Sequence, residues 1–329
     1  MKTIEYSKPM RWGIIGCGAV TEVKSGPPYQ LTEGFKLMAV MRRDVEKAED
    51  YAERHGVPKF YGKAKDLIQD PEIDAVYIAT PPDTHKQYAL MVAEAGKPCC
   101  VEKPLAPNYA ESLEIYNAFH SKELPLFVAY YRRSLPRFLK VKEWLDKNEI
   151  GEVRHIRWDL SKPPSEWDLD KTYNWRTDMD VAPGGYFDDL ASHGLDLFSF
   201  LLGDIKNAFG VSVNQQKLYT SKDAIAACWV HANGITGTGS WNFGTSDRED
   251  EVEILGSSGK ILFSVFGEDE VVLNNKNGEE SLFIEHPGHV QEFHVKNMAS
   301  HLFDNKEHPS LGKSGMHTSW VMDKILGQI

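Results

Sequence analysis

Two short stretches of this chain hold residue types that can do chemistry. In GGYFDDLASHGLDL, residues 184–197, Asp189 and His193 stand four apart, with Asp196 three further on. On a helix that spacing puts Asp189 and His193 on one face. Three uses fit such a pair. A histidine near its ordinary pKa of ~6.5 exchanges a proton at neutral pH, so acid/base work is one. A structural histidine beside a capping acid is the second. Metal ligation is the third, but no further His or Cys stands at ligand spacing, and no metal is expected. The other stretch is CCVEKPLAP, where an apolar run ends in Glu102, Lys103 and Pro104. Taken alone, these read as solvated loop charges and a strand stop.

A third stretch points to a nucleotide. Gly16-Cys17-Gly18-Ala19-Val20-Thr21 follows the apolar run RWGII and resembles the dinucleotide fingerprint, with Thr21 where a third glycine or alanine is usual. A tight turn, close approach of a pyrophosphate and the amides of a helix start are what that mechanism needs. A plain strand-to-helix turn is the alternative. After the next apolar run, FKLMAVM, come Arg42 and Arg43. A guanidinium donates two parallel hydrogen bonds to a phosphate, so these favour NADP(H) through its 2′-phosphate. If both are surface charges and Asp44 reads the ribose, the cofactor is NAD(H).

The elements that must position these groups alternate in the first part of the chain. Apolar β-rich runs at FKLMAVM, DAVYIAT (74–80), KPCCVE (97–102) and LPLFVAYY (124–131) are separated by amphipathic stretches such as VEKAEDYAERH, which Asp44 caps and Gly56 ends. That order predicts a doubly wound parallel sheet with helices on both faces, a Rossmann arrangement over residues 1–134. From 135 to 329 the pattern changes. A helix closing at Gly151 and another near 185–202 are followed by long strand-like runs with hairpin signals at Asn233-Gly234 and Asn277-Gly278, and the chain ends in a helical stretch, MHTSWVMDKILGQI. A large, mainly antiparallel, open-faced sheet with helices is expected there.

Composition narrows the partners. The 329 residues carry 37 Lys and Arg against 48 Asp and Glu, a net charge of −11. Such a chain repels phosphate backbones, and no nucleic-acid partner is expected. No segment approaches the ~18 uncharged residues of a membrane span, and MKTIEYSKPMRWG lacks the apolar stretch of a signal peptide. Cys17, Cys99, Cys100 and Cys228 form no CxxC pair. Reduced thiols and a cytoplasmic location are the expectation.

Taken together, the glycine turn, ATPPDTH after the fourth strand, VEKP after the fifth, NWRTD and GGYFDDLASH resemble the glucose–fructose oxidoreductase and inositol dehydrogenase family (Gfo/Idh/MocA) through nearly the whole chain. The resemblance implies a Rossmann domain, a substrate-binding α/β domain and subunit contacts through the open sheet, as a homodimer or homotetramer. It implies that Lys103 favours an alkoxide-like transition state, that His193 exchanges the hydroxyl proton and that Asp189 orients the imidazole or binds the substrate. Gly16, Gly18, Ala19, Val20, Arg42, Arg43, Thr80, Pro81, His85, Glu102, Lys103 and Arg133 would surround the cofactor, and Tyr131, Trp175 and Arg176 the substrate. For Glu102 a structural hydrogen bond fits as well as a ribose contact. Trp241 suits a sugar stack or, more ordinarily, the core.

The activity this implies is NADP(H)-dependent hydride transfer to or from a secondary hydroxyl or carbonyl of a sugar, polyol or related diol. Two alternatives share the fold. One is a glycoside-processing enzyme that oxidises transiently with a retained nucleotide; the other is a dinucleotide-binding regulator without catalysis. Intact Lys103, Asp189 and His193 argue against the regulator.

Overall fold

The apolar runs of the first part become the strands of one parallel sheet in the computed structural model, which describes residues 6–329. They are β1 (Met10–Ile15), β2 (Phe35–Met41), β3 (Lys59–Tyr61), β4 (Ala75–Ile78), β5 (Cys99–Val101) and β6 (Leu126–Val128), in the spatial order β3-β2-β1-β4-β5-β6. Strand order reverses between β1 and β4, where an open α/β sheet forms its crevice beyond the strand ends. The linking helices are α1 (Ala19–Val23), α2 (Pro28–Leu31), α3 (Val45–His55), α4 (Ala64–Gln69), α5 (His85–Glu94) and α6 (Tyr109–His120). Helix α3 starts and stops where its sequence says. Asp44 Oδ1 accepts from Lys47 N at 3.3 Å, and Gly56 ends the helix at φ 63°.

A second sheet forms from the rest of the chain. After α7 (Pro136–Asp146) come β7 (Val153–Ser161), α8 (Glu166–Leu169) and α9 (Tyr186–Leu202). Then follow β8 (Ile205–Val213), β9 (Ala224–His231), β10 (Thr236–Asn242), β11 (Glu249–Gly256), β12 (Gly259–Phe263), β13 (Val271–Asn275) and β14 (Gly278–Leu282). Its order is β14-β13-β12-β11-β7-β10-β9-β8, antiparallel except for the β7–β10 pair. Both Asn-Gly pairs lie at hairpins, between β9 and β10 and between β13 and β14. One face is aromatic and buried. Trp158 meets Phe198 and Trp241 edge to face, each at 5.5 Å between ring centroids, and Phe187 meets Trp241 at 5.0 Å. Gly194 on α9 is needed for this packing, since a Cβ there would stand 2.3 Å from the Trp158 ring. Trp241 is wholly buried and belongs to this core, not to a sugar platform.

The last helices are α10 (Glu292–Asp304) and α11 (Gly312–Leu326). Helix α10 was not anticipated, although Val295, Met298, Ala299 and Leu302 follow the i, i+3, i+4, i+7 stripe of an amphipathic helix. That stripe is buried in one core with Trp12, Tyr29 and Phe35. The chain therefore divides less simply than a single cut after residue 134. One unit comprises residues 1–106, 110–134 and 287–316, and the other 107–109, 135–286 and 317–329. A linear reading assigned 287–316 to the second unit because it cannot see a chain return.

Candidate active site

In the first unit, the carboxyl ends of β1, β2 and β4 frame a cleft of ≈ 290 Å³. Gly16, Gly18, Arg42, Arg43, Thr80 and Pro81 line it. The two glycines do different work. Gly16 sits at φ +92°, and a Cβ there would stand 2.6 Å from Thr80 Cγ2; at Gly18 a Cβ would meet only Gly16 O, 3.9 Å away. The turn thus presents bare backbone, which fits the close approach of a pyrophosphate. Thr21 closes it: its hydroxyl donates to Gly18 O and accepts from Gly18 N, both at 2.9 Å. Helix α1 spans only five residues, and Ala19 and Val20 do not line the cleft. Burial pushes the Cys17 thiol up to about 11, so it stays protonated. At the β2 end, Asp44 caps α3 and pairs with Lys47 Nζ at 3.0 Å, and it also lines the cleft beside Arg42 and Arg43. Tyr88 also lines the cleft, a contribution that nothing in its local sequence marked.

The end of β5 is built around Glu102, which is 8% exposed. Tyr77 Oη and Gln291 Nε2 donate to its Oε1 at 2.6 and 2.7 Å, and Lys103 N donates to its Oε2 at 3.2 Å. Of the two uses considered for Glu102, these contacts describe the structural hydrogen bond. Lys103 follows directly, half-buried, with Pro104 after it. His85 is fully buried, its Nδ1 facing Pro104 O at 3.0 Å and its Nε2 facing Thr80 O at 2.8 Å. Burial lowers its pKa, against the pull of those carbonyls. It ties the Thr80 loop to the Lys103 turn and does not itself line the cleft. Arg133 is also buried and donates through Nη1 to Pro309 O at 3.0 Å, while Tyr131 lies half-buried against Arg132.

In the second unit, α9 carries Asp189 and His193 one turn apart, as their spacing required. Asp189 Oδ2 accepts from Arg176 Nε at 2.6 Å, in an ion pair with side-chain exposures of 14% and 37%. Arg176 in turn lies 4.4 Å over the Trp175 ring. The loop bearing this pair is fastened by Asn174, whose Oδ1 accepts from Arg176 N at 3.2 Å and whose Nδ2 donates to Tyr186 Oη at 3.2 Å. Tyr186 passes the connection on to Asp168 Oδ1 at 2.9 Å. His193 is 5% exposed, with the Phe266 ring edge to face at 5.7 Å. Asp196 points elsewhere, accepting from Thr318 Oγ1 at 3.1 Å. Asn174 was legible as a cap type just before the WR pair; Phe266, about seventy positions along the chain from His193, carried no signal.

Residues 10–130 match the oxidoreductase family with an NAD-binding Rossmann fold, and residues 138–262 match the GFO/IDH/MocA C-terminal domain. The chain belongs to the GFO/IDH/MocA oxidoreductase family. It is 38% identical to oxidoreductase P35 of Formosa agariphila over 320 residues, covering 97% of this chain and 98% of that one. It is 26% identical over 313 residues to trans-1,2-dihydrobenzene-1,2-diol dehydrogenase of Sus scrofa, covering 94% and 90%. The solved structure of levoglucosan dehydrogenase in complex with NADH and levoglucosan shares the fold, with a TM-score of 0.85 over 96% of each chain at 22% identity. Like its relatives, this GFO/IDH/MocA protein is an NAD(P)-dependent oxidoreductase acting on CH-OH groups. Among the described residues, no helix is long and apolar enough to cross a membrane.

Proposed function

We propose that this protein moves hydride between NADP(H) and a secondary hydroxyl or carbonyl carbon of a sugar, polyol or related diol. The observation that carries this reading is the Asp189 carboxylate held by Arg176 at 2.6 Å, one helical turn from the nearly buried His193. A carboxylate fixed in that way orients an imidazole or a substrate hydroxyl without having to be ordered by the substrate first. The named substrates of the relatives, a dihydrodiol and levoglucosan, support the substrate class.

The bound nucleotide supplies the acceptor or donor of hydride. The bare glycine turn and the rim of Thr80, Arg42 and Arg43 would hold it, with Arg42 and Arg43 on the 2′-phosphate. Arg42 and Arg43 on this rim support NADP(H) over NAD(H), and Asp44 lines the cleft beside them. In the oxidative direction the substrate carbon loses hydride and its hydroxyl loses a proton to His193, leaving a carbonyl. Lys103 favours the oxygen while it carries negative charge. Tyr131 and Trp175 shape the substrate side. The expected assembly is a homodimer or homotetramer through the second sheet. The deciding experiment is a screen of sugars, polyols, dihydrodiols and keto-sugars with both nucleotides, read by nucleotide absorbance. Turnover of one hydroxyl or carbonyl compound supports the reading. No turnover anywhere in the panel, in a protein that still binds nucleotide, would favour a regulator.

A further inference from the structure

Lys162 belongs to none of the motifs above. It continues β7, its N–H donating to Asn242 O at 3.0 Å, and its ammonium lies 3.6 Å from the centre of the Tyr186 ring. Tyr186, Asp189 and His193 occupy positions i, i+3 and i+7 of α9 and share one face. The ammonium therefore rests on the same helix face as the proposed catalytic pair. An aromatic face attracts a cation, but it is a weaker partner for the ammonium N–H groups than an oxygen acceptor. Among the described residues, no oxygen accepts a hydrogen bond from Lys162 and no carboxylate pairs with it. Burial already works against its charge.

The surrounding charges tell what is missing. Those acting most strongly on Lys162 are Asp168, Asp189, Arg248 and Arg176. Asp168 is filled by Ser165 N, Ser165 Oγ and Tyr186 Oη, and Asp189 by Arg176. Arg248 is exposed and pairs with no carboxylate among the described residues. The two carboxylates act on Lys162 more strongly than the two arginines, yet neither forms an ion pair with it. A carboxylate that reaches this half-buried ammonium makes hydrogen bonds about twice as strong as a neutral acceptor does.

We infer that Lys162 binds a carboxylate of the substrate, and that the substrate class is polyhydroxylated acids of the aldonate or uronate kind. This rests on the reading of Asp189 and His193 as the site of CH-OH oxidation. A neutral sugar offers Lys162 only hydroxyl oxygens, whereas an acid offers it a charged acceptor beside the proposed catalytic pair.

The test uses the full chain loaded with NADP⁺ and matched probes: glucuronate, galacturonate and gluconate against glucose, galactose and sorbitol. Turnover is measured where it occurs and calorimetric binding otherwise. At least one acid should bind tenfold or more better than its neutral counterpart. Lys162→Met should raise the KM or Kd of that acid by roughly 10- to 100-fold, the loss of one charge-assisted hydrogen bond. The effect should fall on KM more than on kcat, and Lys162→Arg should restore most of the affinity. If Lys162→Met loses its circular dichroism or its nucleotide binding, Lys162→Gln against Lys162→Arg makes the same comparison. Neutral sugars binding as well as acids, failure of every acid to bind, or equal behaviour of the Gln and Arg variants each overturns the inference. His193→Ala separates the two readings. Undiminished turnover in it would undo the catalytic site itself, whereas lost turnover without acid selectivity would undo only the role of Lys162.

Discussion

Lys103 and His193 are assigned different parts of one event, charge and proton, and their variants should fail in the same way. Lys103→Ala and His193→Ala are each expected to lower turnover by on the order of 10² to 10⁴, the usual cost of one positioned electrostatic or acid/base group. Nucleotide affinity should stay close to that of the unmodified protein, as stopped-flow hydride transfer and calorimetry would show. Near-normal hydride transfer in Lys103→Ala would remove it from the mechanism. Arg42 makes a different claim. On the proposed NADP(H) reading, Arg42→Asp would set a carboxylate against the 2′-phosphate and should weaken or reverse the preference for NADP(H). Titration of both nucleotides measures this, and an unmodified protein that already binds NADH as tightly would refute it.

Two buried acids, Asp188 on the first turn of α9 and Asp323 on α11, answer to pH. Burial raises the Asp188 carboxyl to about 7, although Gly184 N–H donates to its Oδ2 at 2.7 Å; Asp323 is raised to about 6 by burial. An unfolded aspartate titrates near ~3.9. Between that value and 7 the folded chain keeps a proton that the unfolded chain has lost, so stability falls as pH rises through this window. Asp188→Asn removes the titration while its amide oxygen can still accept from Gly184. Its melting temperature should exceed that of the unmodified protein by roughly 2–8 °C at pH 8 and by little near pH 4. An equal difference at both values would mean that the carboxyl does not titrate there.

Elements of this kind also show what a sequence discloses. Helix α3 was legible from end to end because cap, stripe and terminating glycine lie within thirteen residues, and the α9 pair because helical spacing is local. Glu102 was not. Its structural use depends on Gln291, 189 positions away, and the Arg176–Asp189 pairing depends on a loop fastened by Tyr186 and Asp168. Lys162 escaped notice because an isolated lysine after a strand is ordinarily a solvated charge; only the ring beneath it and the lack of an acceptor distinguish it.

For the molecule as a whole, the second sheet leaves one face bare in the single chain. Phe209, Val211 and Val213 on its edge strand β8 are 64%, 70% and 48% exposed. Adjacent apolar residues at such exposure support the proposed assembly through this sheet. Light scattering at micromolar concentration should find a dimer or tetramer, and Val211→Glu should shift it to monomer. A monomeric unmodified protein would contradict the assembly proposed here.

The interleaved division of the chain bears on how the protein is made. The first unit draws α10 from residues 292–304, and Phe303 packs against Phe35. A ribosome that has released only the first 134 residues has delivered every strand of the parallel sheet but not the helix that covers Trp12, Tyr29 and Phe35. That apolar face stays bare until nine-tenths of the chain has emerged. Premature termination near residue 134 would therefore be expected to yield an adhesive fragment, not a free nucleotide-binding domain, and a shortened gene meant to express that domain alone would have to carry the distant helix with it.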